Sequence, residues 1–125
     1  MFSWFSSKAE TLKPLPLSQR EKSYSSSSGA VYQYIFKGMA GKSHVFDVSA
    51  DRASSFEVRI ELPESALEAC AARMGSPLRW NEEYALAKLC LFQAFDRAEH
   101  AGELHKPIRP GADELLEHMN TLNMA

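Results

Sequence analysis

Cysteine is scarce in this sequence: only Cys70 and Cys90 occur among 125 residues, too few for a disulfide framework. Both fall inside apolar helical patterns, where a free thiol packs as a small hydrophobe, so unpaired buried thiols in a reduced compartment are expected. Long hydrophobic runs are also missing. The most apolar stretch, Leu86 to Phe95, is interrupted by Lys88 and Gln93 and is far shorter than the roughly 20 residues of a membrane span. The start, Met1-Phe2-Ser3-Trp4-Phe5-Ser6-Ser7-Lys8, lacks the charged leader and following apolar run of an export signal, so a cytoplasmic protein is expected. No sign of charge dominates either, with 14 Lys and Arg against 16 Asp and Glu and a net charge of −2. Affinity for nucleic acid comes mainly from basic side chains that neutralise phosphates, so this balance disfavours an electrostatic nucleic-acid binder.

What is present suits one domain, because a chain of this length buries roughly two-thirds of its unfolded surface. Residues 1–29 differ in kind from the rest. Leu12-Lys13-Pro14-Leu15-Pro16-Leu17 is punctuated by proline and Ser23-Tyr24-Ser25-Ser26-Ser27-Ser28-Gly29 is serine-rich, which reads as a flexible arm with little to bury. The arm carries Lys8, Lys13, Arg20 and Lys22 against Glu10 and Glu21, a positive excess facing an acidic remainder.

From Ala30 the hydrophobic period is two. Tyr32, Tyr34 and Phe36 alternate with Val31, Gln33, Ile35 and Lys37; His44, Phe46 and Val48 alternate with Val45 and Asp47; Phe56, Val58, Ile60 and Leu62 alternate with Glu57, Arg59 and Glu61. Short turns between these runs predict a three-stranded antiparallel meander. Pro63-Glu64 then opens a helix that Gly75 ends. A second helix is predicted from an Asn81 N-cap to about Ala101, with Glu82 and Glu83 in its first turn. Beyond the stiff Pro107-Ile108-Arg109-Pro110-Gly111 connector, Asp113 to Leu122 reads as a third, amphipathic helix with Leu115, Leu116, Met119 and Leu122 inward. The expected fold is therefore α+β, in the order βββααα, over residues 30–125.

Motifs that invite chemistry are weak. Gly38-Met39-Ala40-Gly41-Lys42-Ser43 ends like a phosphate-binding loop, but Phe36 stands where the first glycine belongs and a strand follows where a helix is needed, so a hairpin turn is the better account. Asp47-Val48-Ser49-Ala50-Asp51-Arg52 resembles part of the Asp-x-Ser-x-x-Gly motif of PilZ domains, which bind cyclic di-GMP. It departs from that motif at Arg52, and the arginine pair expected upstream is absent. A turn in which Asp51 and the serines satisfy backbone amides accounts for the same residues. Glu114 and His118 share a helical face, yet two ligands do not make a metal site, so no metal and no cofactor are assigned. His44 and Asp47 point to opposite faces of a strand. No nucleophile is assembled with a base.

The apolar excess is more informative. Around Leu86, Leu91, Phe92 and Phe95 the long helix is hydrophobic over more than a single stripe, so more than one side needs cover. Val31, Ile35 and Val45 form a second apolar set opposite the aromatic sheet face, requiring the arm or another copy of the chain. The leading expectation is thus a non-catalytic protein-interaction or adaptor module. It would form a homodimer through these seven residues, with Phe2, Trp4 and Phe5 as anchors for a protein partner. The alternative is a small-ligand binder or enzyme with a site between the sheet edge and the last helix, using His44, Asp51 or His118. A nucleic-acid-associated regulator ranks third, its positive charge supplied by the arm.

Overall fold

The computed structural model describes residues 20–124. Strands β1 (Lys22–Ser25), β2 (Val31–Ala40), β3 (Ser43–Ser49) and β4 (Phe56–Glu61) form one antiparallel sheet in the order β1-β2-β3-β4. Helices α1 (Glu64–Met74), α2 (Trp80–Arg97) and α3 (Ala112–Thr121) follow, with a 3₁₀ turn at Ala101–His105 before α3.

The α+β class and the meander agree with the sequence pattern, but the sheet has four strands, not three. The added strand comes from the serine-rich segment read above as part of the arm. Its alternation is carried by a single aromatic residue: Tyr24 stacks on Phe92 with ring centroids 4.4 Å apart, and its hydroxyl donates to the Asp96 carboxylate at 2.9 Å. The Ser27 N–H donates to the same carboxylate, so α2 clamps the β1–β2 hairpin at two points. Gly29 closes that hairpin at a φ of 95°, which side chains resist.

In the remaining strands the aromatic and β-branched face read from the alternation lines up, with Phe36 opposite Phe46 and Phe46 opposite Val58. Gly41, at a φ of 61°, turns β2 into β3, which makes Gly38 to Ser43 a hairpin and not a phosphate loop. Gly75 caps α1 in the left-handed region, donating its N–H to the Ala71 carbonyl. Helix α2 starts one residue before the predicted N-cap and ends at Arg97, short of Ala101. Ala98 is extended there, and residues 101–105 wind into the tighter 3₁₀ form. Ile108 then lies parallel to β4, exchanging hydrogen bonds with Arg59 and Glu61 and covering that edge of the sheet.

One aromatic and aliphatic core joins Tyr32, Tyr34, Phe36, Phe46, Val48, Val58 and Ile60 of the sheet to Cys70 of α1, to Leu86, Leu91 and Phe95 of α2, and to Leu115 and Met119 of α3. The same packing places the residues of the long helix that were read above as interaction residues. Leu86, Leu91 and Phe95 are fully enclosed within one copy, and Phe92 is taken up by Tyr24 and Tyr34. On the opposite sheet face Ile35 and Val45 are also buried, and only Val31 of that set is exposed. Phe2, Trp4 and Phe5 lie outside the described residues. Each fully buried large side chain contributes roughly 1.5–3 kcal/mol, so this mixed core is the main driving force for folding.

Candidate functional site

The β2–β3 hairpin, the end of β4 and the first turns of α1 and α2 enclose a cavity of about 330 Å³, within the range of small-molecule sites. Met39, Gly41, Lys42 and His44 line it from the hairpin, Leu62, Glu64 and Leu67 from the β4–α1 junction, and Glu83 from α2. The antiparallel register brings the first three segments together, because Ser43 pairs with Glu61 and the chain enters α1 beside the hairpin.

His44 is the unusual member. It is 1% exposed, and neither ring nitrogen has a hydrogen-bond partner. A neutral imidazole carries one donor and one acceptor, and a buried polar group left unpaired costs about 1–3 kcal/mol. The ring sits among aromatics instead: Phe36 at 5.9 Å, Tyr84 at 6.3 Å and Trp80 at 6.5 Å between centroids. Burial holds its pKa down at about 4, against an ordinary 6.5, so the ring is neutral near pH 7. Trp80 and Tyr84 stack with ring planes 7° apart, leaving the Trp80 side of the pair half-exposed. Burial pushes the Tyr84 hydroxyl up to about 12, with a smaller contribution from Tyr34.

Three carboxylate and ammonium groups complete the lining. Lys42 and Glu64 pair at 3.3 Å and are both largely exposed, which makes their contribution to stability small. Glu83 stands apart. It lies in the first turn of α2, its side chain makes no hydrogen bond or ion pair among the described residues, and burial pushes its carboxyl pKa upward.

The three side chains assigned from sequence to a ligand site are not brought together. Asp51 lies beyond the far end of β3, roughly 15 Å or more from His44 at about 3.3 Å per strand residue. There it accepts from the backbone N–H groups of Ser54 and Ala53, which draw its pKa down. Ser49 Oγ accepts from the Arg52 N–H at 2.8 Å, and Arg52 takes a φ of 63°, so this segment forms the turn that its composition suggests. His118 lies on α3, buried with Nε2 unpaired, and lines no cavity shared with His44. Burial pulls its pKa down, opposed by Glu114 and Glu117. Glu114 itself pairs with Arg97 at 3.5 Å. Among the described residues no three His, Cys, Asp or Glu side chains converge as metal ligands.

Met39, Lys42, Glu64, Leu67, Trp80 and Glu83 were not singled out from sequence as site residues. The signal available was positional: Glu64 and Glu83 both stand in helix first turns, and the meander puts the β4–α1 junction beside Gly41 and Lys42.

The two cysteines and the cations of the outer sheet face are committed to structure. Cys70 and Cys90 are free and buried, and burial pushes the Cys90 thiol up to about 12, the reverse of an activated nucleophile. On the outer sheet face Lys37 pairs with Glu57 and Asp47, Arg59 with Glu57, and Arg109 with Glu61, so these cations are already neutralised and offer phosphate no basic stripe. No helix among the described residues is long and apolar enough to cross a membrane. Comparison with protein families, with curated proteins and with solved structures finds no match to this chain.

Proposed function

We propose that this chain is a small-ligand-binding domain whose site is the cavity between the β2–β3 hairpin and the first turns of α1 and α2. The observation that carries the reading is His44, a nearly inaccessible imidazole that lines the cavity with both nitrogens unpaired. Buried polar groups in folded proteins are hydrogen-bonded with few exceptions, and a ligand that supplies the missing partner recovers the cost of leaving them empty. Apolar walls at Met39, Leu62 and Leu67 provide area, while Lys42, Glu64 and Glu83 provide orientation, the division of labour common in small-molecule sites. No Ser, Thr, Cys or Tyr lines the cavity, and its one amine, Lys42, is paired with Glu64, so binding without chemistry is the simplest activity compatible with its lining.

The test is a fragment screen on the isotopically labelled chain followed by amide NMR. Hits that shift residues 39–44, 62–67 and 80–84 together support the reading. Absence of hits there at about millimolar concentration, where weak fragments bind with roughly 4 kcal/mol, overturns it.

An adaptor role with self-association stands second. Met39, 43% exposed, and Trp80, 50% exposed, flank the same cavity and are apolar side chains that a protein partner would cover. Sedimentation of the intact chain across a concentration series checks this, and a constant mass of one chain removes the homodimer.

A further inference from the structure

We propose that the occupant of the His44 cavity is a small organic cation, an ammonium group carried on an apolar or aromatic body. The inference rests on the cavity being a ligand site and assigns the chemical class that fits it. The lining contains two carboxylates, Glu64 and Glu83, and one ammonium, Lys42. Lys42 and Glu64 neutralise each other at the mouth. Glu83 is half-buried and has no counter-ion among the described residues, and a carboxylate in that condition is stabilised by a cation brought to it.

His44 supplies the second, independent observation. Its neutral ring has a lone pair to accept an ammonium N–H, and none of the described groups uses it. Both nitrogens are closed off from water, so the ligand reaches them by displacing Met39, the register partner of His44, or Trp80, the more exposed ring beside it. Beside the cavity the half-exposed Trp80, its ring 6.5 Å from that of His44, adds an aromatic surface that suits a cation.

An anion fits less well. The N-termini of α1 and α2 would attract one, but Glu64, Glu82 and Glu83 already occupy those first turns, and the only cation in the lining is paired. A metal ion lacks a third ligand among the described residues.

Calorimetry with three probes of nearly equal shape tests the charge: 2-phenylethylamine, 2-phenylethanol and 3-phenylpropionate, each titrated into the full chain at neutral pH, with amide NMR locating the binding. The amine should bind roughly tenfold or more tightly than the alcohol, the size of one partly desolvated charged hydrogen bond. Glu83→Gln should abolish that preference while leaving the alcohol's affinity in place. Glu68→Gln, the same charge change on the exposed surface of α1 outside the cavity, should leave the preference intact. Equal binding of amine and alcohol, or tighter binding of the propionate, overturns the cation assignment but leaves the cavity as a ligand site. If no probe moves residues 39–44, 62–67 or 80–84, and the fragment screen is equally silent, both readings fall.

Discussion

Acid should destabilise this fold through His44 well before most carboxylates titrate. The folded-state pKa of about 4 lies below the ordinary 6.5 because the ring is buried without a partner for its charge. Between those two values the unfolded chain binds a proton that the folded chain refuses, so stability falls as pH falls through this window and is unaffected by His44 above it. Linkage gives a loss of about 2 kcal/mol at pH 5 and about 3 kcal/mol at pH 4, a large part of the stability of a small domain. Two other groups act in the same interval: His118, also lowered by burial, adds to the loss, and Glu83, raised by burial, opposes it. The measurement that isolates His44 is therefore a comparison, denaturant unfolding of the natural chain and of His44→Phe, each near pH 7 and pH 5. The natural chain should lose about 2 kcal/mol more than the variant over that interval. Equal pH dependence in the two proteins, or a His44 ring titration by NMR near the ordinary histidine value, would refute the claim that the ring is desolvated and unpaired.

Asp96→Ala should cost about 1–3 kcal/mol by removing the acceptor for Tyr24 and Ser27. Hydrogen exchange should accelerate at residues 22–27 and not in β3 or β4. Phe95→Ala, which removes a fully buried ring that stacks on Tyr32 at 4.2 Å, should cost about 3–5 kcal/mol in an unfolding titration. The same loss at low and high protein concentration would accord with Phe95 serving the core of one chain. Cys90, buried and pushed up to about 12, should resist iodoacetamide at mildly alkaline pH until denaturant is added, with modification followed by mass spectrometry.

The β2 to β4 strands were legible because alternation is local. A residue two positions away faces the same side whatever the rest of the chain does, so Tyr32, Tyr34 and Phe36 declare a face without reference to partners. Pro63 with Glu64, and Gly75, were equally plain, since helix ends are governed by backbone geometry within a few residues. Strand β1 was hidden by composition: among serines, one tyrosine carries its pairing, and the groups that hold that tyrosine, Phe92 and Asp96, lie about seventy residues away. The early end of α2 was hidden for a related reason. The hydrophobic pattern continues past Arg97, but the chain turns there so that Leu104 enters the core and Ile108 reaches β4.

The sequence by itself therefore determined the α+β class, the sheet faces and the placement of three helices, because each follows from residues within one turn or one strand of each other. Tertiary structure decided which apolar residues were surplus: the circumference of α2 is absorbed by the sheet and the neighbouring helices, so its hydrophobicity reports a central position within one chain. It also decided the site. His44 draws its meaning from Trp80 and Tyr84, and Glu83 from the lack of a counter-ion among the described residues. Burial, dielectric and charge pairing depend on distances in space that no spacing along the chain encodes.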